Sequence, residues 1–498
     1  MSRGPVDNNP VVRGACHAAE YSGTCPVVGR RPRFASHRVW VYRRYVHSSD
    51  DYLVAGRKLG ASLIAGSLIA AWCNSYTVFV NSSLAYGFSF PNYIVLLVLA
   101  LCFPVAVAIP VGLAVWRRFH RGFTASQFLG TRYDSSMQGY STFVQFANHL
   151  ILLFSQIMIG GTILEGLLGV PAPVIMIIMT LAMVLYTTVG GLWASVTTDY
   201  LQILAAMVAI VVILPAALLF FGGTGAIYQG MVQHNPAAMQ FTGNLDFWKT
   251  VLSVGLVIFA GVVVPQYVWQ RYYAARDEGS IKRGLVGLAV IYPAMAFVGA
   301  VPAFIVLSQG ASLPQPDASP IVFLSMVPFW VAIPFAAVIL LYVISTADSS
   351  LMALVSIWSV DIHKRYVLRG QPIADVDLQR INKVALVIFA LLGLVLAFLK
   401  VTIVQLFWTI GLMQVTLIGP ILLGLFGTRV TGQQAFWGSV VGLVAGSAVY
   451  FWLASGDEFT ANMLALFLPI IISYAWSLTS SKRYRWEKEA SPPRVVTS

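Results

Sequence analysis

Apolar runs of about twenty residues recur along the whole chain, parted by short polar or basic connectors. Each is long enough to cross the ~30 Å hydrocarbon core of a bilayer as a helix. Their limits predict twelve spans, at about 60–86, 92–116, 139–164, 172–189, 198–221, 250–270, 282–308, 327–360, 381–399, 402–427, 433–454 and 459–478. Two runs are interrupted. The first carries Cys73, Asn74 and Ser75 in its middle. The sixth contains GVVVPQYVWQR, where Pro265 lacks an amide donor and pushes Val264 away from helical geometry. Spans one to five and six to ten form two sets, and an odd number per set makes the second run opposite to the first. Each set opens with an interrupted helix, the signature of an inverted-repeat transporter whose site lies near the midplane, since unwound backbone frees carbonyls for a cation and amides for an anionic group. The expected fold is all-α and polytopic, a 5+5 inverted repeat followed by two further helices.

The eighth run puts hydroxyls and a carboxylate inside an apolar helix. Tyr342, Ser345, Thr346, Ser349, Ala353 and Ser356 share one face, with Asp348 at its edge. Adjacent hydroxyls and a few freed carbonyls can replace the hydration shell of a small hard cation, and sodium suits such a site. Ser and Thr also pack membrane helices closely or bond back to the i−4 carbonyl, and that reading stands beside the first. Asp348 sits where a charge costs about 2.5–3.5 kcal/mol, so it has to be partnered or protonated.

Composition agrees with the pattern. The 498 residues are 58% hydrophobic and 10% charged, against about 25% charged in soluble domains; mean hydropathy is +0.77. The net charge of +12 could suggest a nucleic-acid partner, but all of the 31 Lys and Arg except Lys249 and Lys400 fall on one side of the predicted topology. That is the positive-inside signature and places both termini in the cytoplasm. Cys16, Cys25, Cys73 and Cys102 include no CxxC pair, so neither a disulfide framework nor a zinc site is indicated. The expected organisation is a basic, disordered tail over 1–50, a transporter core over 51–429 with repeats at about 60–221 and 250–427, two spans over 430–480 and a tail over 481–498.

DYLVAGRKLG, YTTVGGLWASVTTDYLQ, QRYYAA and ISTADSS, in that order, resemble the sodium:solute symporter family from about Asp51 to Arg429. The resemblance implies a LeuT-like fold and sodium-driven symport into the cell across the cell membrane. It implies a sodium site built from the Ser345 and Thr346 hydroxyls with the carbonyls of Ala70, Cys73 and Tyr342, and it puts Asp199 on the inward sodium path. Asp199 could equally cap the fifth span. Sugar carriers of the family have polar residues where this chain has Trp72, Thr77 and Pro265, which argues against a sugar.

Trp72, Tyr76, Tyr267, Trp269 and Trp408 cluster around the predicted breaks, where aromatic rings can enclose a small solute. With Thr77, and with Gln414 on the tenth span, Trp72, Tyr76 and Tyr267 make the expected solute-binding set. The expected solute is a small polar organic molecule such as an amino acid, carboxylate, vitamin or urea-like compound, carried by a monomer or weak oligomer in the lipid bilayer. Proton coupling through Asp348 or Asp199 is the nearest rival. A membrane sensor would need an output module, and only about twenty residues follow the last span; no convincing catalytic constellation argues for an enzyme.

Overall fold

The computed structural model describes residues 46–313, 315–399, 401–453, 456–479 and 484. Most of the basic N-terminal tail, the C-terminal tail apart from Tyr484, and Lys400 lie outside the described residues. Regular structure among the described residues is helical, with one isolated parallel bridge between Leu59 and Ala275. A short helix, α1 (Ser49–Val54), begins where the expected tail ends; Ser48 and Asp51 cap it reciprocally.

Both predicted breaks are present. α2 (Ala61–Trp72) and α3 (Ser75–Gly87) are bent by 52°. Cys73 leaves helical geometry, and Asn74 restarts the helix by accepting from the Thr77 amide at 3.3 Å while its own amide donates to Thr77 Oγ1 at 3.2 Å. α4 (Phe90–Phe119), α5 (Ala125–Arg132) and α6 (Ser135–Leu168) follow.

α7 (Ala172–Phe220) runs over 49 residues and fuses the fourth and fifth predicted spans. Straight, it would be roughly 74 Å long, more than twice a bilayer core. Gly191 breaks it, at φ 52 and ψ −138, and a Cβ there would stand 2.6 Å from the Tyr52 carbonyl oxygen. Only glycine meets both demands. Tyr186 and Ser195, about 13.5 Å apart on a straight helix, both bond the one carboxylate of Asp348, as a chain that turns back on itself allows.

The loop expected over 222–247 contains a helix, α8 (Gly223–His234), which buries Ile227 and Met231 and is pinned by His234 Nδ1 at 3.0 Å from the Ser308 carbonyl. α9 (Leu245–Val263) and α10 (Gln266–Ala274) flank the break at Val264 and Pro265. α11 (Glu278–Ser308), α12 (Ser319–Met326), α13 (Phe329–Ile357), α14 (Asp375–Leu396), α15 (Ile403–Phe426), α16 (Gly432–Ala448) and α17 (Glu458–Ser477) complete the order.

Ten described helices are long and apolar enough to cross a membrane, or eleven with the bent pair. α7, broken at Gly191, covers both the fourth and the fifth expected spans. α13 packs against both α6 and α7 at the centre. Gly160 of α6 permits this approach, since a Cβ there would meet Val343 at 3.2 Å. Val208, Val211, Val212 and Leu219 of α7 are largely exposed, a face suited to lipid rather than water.

Candidate ion and solute sites

Where α2, α7, α10 and α13 meet, an ion pair is buried without contact to solvent. Arg271 Nη2 lies 3.0 Å from Asp199 Oδ2, and both side chains are 0% exposed. Such a pair survives only if its remaining donors and acceptors are met. They are. Arg271 donates to Ser67 at 3.0 Å, to Ser349 at 2.6 Å and to the Tyr267 carbonyl at 3.1 Å. Asp199 accepts from Ser67 at 2.6 Å and from the Ser345 hydroxyl. Asp199 therefore does not cap a helix in this structure; its partners lie on three other elements.

Asp348, also fully buried, accepts from Tyr186 at 2.6 Å, Ser195 at 3.1 Å and Thr198 at 3.5 Å. These partners are all hydroxyls. The cluster thus sets two buried carboxylates beside one guanidinium, which pairs with Asp199, while Asp348 is held by hydroxyls.

The end of α2 leaves carbonyls without helical partners. Trp72 O accepts from Thr77 Oγ1 at 3.0 Å, and Ala71 O accepts from Thr346 Oγ1 at 3.2 Å. Thr346 thus reaches the break one residue beyond Ala70. The Cys73 thiol lies within hydrogen-bonding reach of the Tyr342 side chain, and the Tyr342 hydroxyl also donates to Met295 Sδ at 3.4 Å. Ser345, by contrast, spends its hydroxyl on Asp199.

A cavity of about 70 Å³ lies against the two breaks, and Trp72, Tyr76, Thr77, Tyr267 and Gln414 all line it, with Asn74, Asn81, Tyr292 and Phe407 among the rest. Trp72 meets Tyr292 edge-on at 5.0 Å. Gln414 is anchored by donating to Asn148 Oδ1 at 3.1 Å. Trp269 is not part of the lining; it is fully buried and donates to the Val263 carbonyl at 2.7 Å. Trp408 likewise stands behind Phe407, centroids 5.1 Å apart.

Toward the Arg-rich end of the bundle, hydrogen bonds tie the elements together. Gln270 donates to the carbonyls of Leu53 and Met352, at 3.5 and 3.3 Å. Beyond Leu53 lies a second cavity of about 390 Å³, lined by Asp50, Gln127, Gln138 and Lys364 among others. Arg57 bridges the same end, donating to the carbonyls of His120 at 2.8 Å and of Arg121 and Gly122 at 3.2 Å.

Sequence reasoning missed Arg271, although QRYYAA contains it, because its partner is 72 positions away. It also missed α6. Gln145, Asn148, Ser155 and Gln156 follow helical spacing on one face, a polar stripe in an apolar run that could have been read as the one in α13 was.

The model of the sodium:solute symporter family matches residues 52–442. Relatives include the urea-proton symporter of Oryza sativa subsp. japonica, 22% identical over 96% of this chain and 75% of that protein. The sodium/glucose cotransporter of Vibrio parahaemolyticus is 23% identical over 80% of this chain and 78% of its own. The sodium/pantothenate symporter of Escherichia coli (strain K12) is 24% identical over 86% and 88%. Among solved structures, the substrate-bound, outward-open state of a Na+-coupled sialic acid symporter matches with TM-score 0.74 and 20% identity, covering 90% of this chain and 95% of that one. A nucleobase-cation-symport-1 family transporter matches at 0.57 and 14%, covering 88% and 96%. With the broken helices, the central polar cluster and a family match over most of its length, the chain belongs to the sodium:solute symporter family: it is a LeuT-fold, multi-pass membrane symporter and not an enzyme.

Proposed function

We propose that this symporter couples the inward movement of sodium to that of a small polar organic solute. The observation that carries the reading is the buried cluster of two carboxylates and one guanidinium, in which Arg271 pairs with Asp199 while Asp348 is held by hydroxyls, a setting that favours a bound cation. Sodium enters as a co-substrate. Thr346 already faces the freed carbonyls of α2, and rotation of the Ser345 hydroxyl away from Asp199 would give the cation a second side-chain oxygen, with Ala70, Cys73 and Tyr342 supplying carbonyls. Asp199 and Asp348 lie beside this position and line the way inward. The solute occupies the cavity at the breaks, held by Trp72, Tyr76, Thr77, Tyr267 and Gln414.

Sodium binding favours the conformation in which the cavity is formed, and release follows when the Gln270 and Arg57 contacts at the Arg-rich end part. The core over 51–429 performs this cycle, both termini face the cytoplasm, and the protein resides in the cell membrane. One sodium crossing a ~100 mV potential yields about 2.3 kcal/mol, and a tenfold gradient about 1.4 kcal/mol more. That supports roughly 500-fold accumulation of a neutral solute per sodium.

Proton coupling is a second reading, favoured by Asp348, whose polar partners are hydroxyls and which a proton would neutralise as well as sodium. Uptake at fixed pH and fixed potential decides between them. Sodium coupling predicts uptake that saturates with sodium and is weakly dependent on pH; uptake that follows the pH gradient without sodium, and is lost in Asp348→Asn, sets it aside.

A further inference from the structure

The solute cavity is mostly apolar, with a few polar groups and no charged side chain. Its lining includes Asn74, Thr77, Asn81, Gln414 and four tyrosine or tryptophan side chains and, among the described residues, no Asp, Glu, Lys, Arg or His. Each nitrogen of the Arg271 guanidinium already donates, to Ser67, to the Tyr267 carbonyl, or to Asp199 and Ser349.

In transporters of this architecture an anionic substrate group can be held by the amides that open a broken half-helix. Here α6 fills those positions. Gln156 Oε1 accepts from the first amide of α3, Ser75, at 3.1 Å. Three helical turns away on the same face, Gln145 Oε1 accepts from the first amide of α10, Gln266, at 3.1 Å, while its Nε2 donates to the freed Val264 carbonyl at 2.6 Å. Asn74 takes the Thr77 amide. A carboxylate in the cavity would find neither a cationic side chain nor these amides, at a depth where an unmatched charge is costly.

What the cavity offers instead is a matched pair of neutral functions. Gln414 is fixed through its Nε2 on Asn148, and its Oε1 stands 3.6 Å from where a Cβ on Gly261 would lie, beside the Trp72 ring. That oxygen can accept from an N–H. Trp72 Nε1, on a residue of the lining, is a buried donor without a partner among the described residues, as is Nδ2 of Asn148, which holds Gln414 and is not itself part of the lining, and an unmade bond of this kind costs about 1–3 kcal/mol. Donors of this sort take a carbonyl oxygen and repel an ammonium group.

We infer that the transported solute is a compact, electrically neutral amide or urea-type molecule, with a carbonyl oxygen and at least one N–H, rather than a carboxylate, zwitterion or ammonium ion. This rests on the reading of the cavity as the solute site. The test is uptake by proteoliposomes of the purified full chain, with and without a sodium gradient, of labelled urea, methylurea and acetamide against acetate, proline, choline and glucose. Uptake of an amide above that of protein-free vesicles is expected, with no competition by acetate, proline or choline in tenfold excess. Gln414→Ala is expected to raise KM for the amide at least tenfold while leaving the sodium concentration for half-maximal uptake unchanged. Sodium-driven uptake of acetate, proline, choline or glucose without any amide overturns the inference and leaves sodium symport standing. Amide uptake that needs protons and not sodium keeps the inference and removes the sodium reading. Uptake of no amide at all overturns it, as does Gln414→Ala with unchanged amide KM.

Discussion

Ser345 and Thr346 carry the sodium assignment, and they stand differently in the structure: Thr346 faces the Ala71 carbonyl and Ser345 faces Asp199. Removal of either hydroxyl takes away one of five proposed oxygens. Ser345→Ala or Thr346→Ala is expected to raise the sodium concentration for half-maximal uptake at least ~10-fold, equivalent to about 1.4 kcal/mol, while Thr346→Ser stays near the parent. Ser350, which the sequence places off the polar stripe, is a poor control because it donates to the Thr346 carbonyl at 2.7 Å. Thr162, whose hydroxyl bonds back to Met158 on an exposed part of α6, serves instead. Arg271→Ala would strand Asp199 as an unpaired buried charge, and a loss of about 3–5 kcal/mol is expected, read as a fall in the thermal midpoint of the purified protein. Sodium should recover part of that midpoint if the cation binds beside Asp199. At this scale the sequence shows the hydroxyl stripe and the solitary carboxylates, since helical periodicity alone puts them at membrane depth. It does not show the Arg271 partnership or the turning of Ser345 toward Asp199, because both arise from contacts between helices distant in sequence.

At the scale of elements, the two breaks are legible in the sequence because their causes are local: a capping asparagine and polar neighbours at Asn74, a missing donor at Pro265. Asn74→Ala removes the cap of α3, and a destabilisation of about 1 kcal/mol is expected, measured by thermal or denaturant unfolding in detergent. The turn in α7 is legible as a polar, glycine-bearing gap between two apolar runs, but its tightness is not. Gly191 is held at positive φ against Tyr52, so Gly191→Ala should cost more than the ~1 kcal/mol of an ordinary helix substitution and should lower folded yield as well as transport. Helix α8 is hidden at the sequence level. Gly223, Gly225 and Gly230 depress its intrinsic propensity, and what holds it is tertiary: Ile227 and Met231 packed inward and His234 tied to Ser308.

Across the whole molecule, the count of spans and the bias of basic residues toward one face follow from hydropathy and charge alone, and for that reason the fold class is legible in the amino-acid sequence. Single cysteines in a cysteine-free background test the resulting orientation: a cysteine at Gly243 should react with an impermeant thiol reagent added outside intact cells, and one at Gly370 should not. Reaction at Gly370 would reverse the assignment of the Arg-rich end to the cytoplasm. The central claim, that a sodium gradient drives solute inward through this chain, is tested most directly by proteoliposome uptake of a labelled panel of amides, amino acids, carboxylates and vitamins at fixed pH, with an inward sodium gradient or with sodium equal on both sides. The account predicts transient accumulation of at least one small polar solute above equilibrium only when the sodium gradient is present, and its loss in the Ser345→Ala, Thr346→Ala double variant. Accumulation that is indifferent to sodium and instead follows an imposed pH gradient would contradict it.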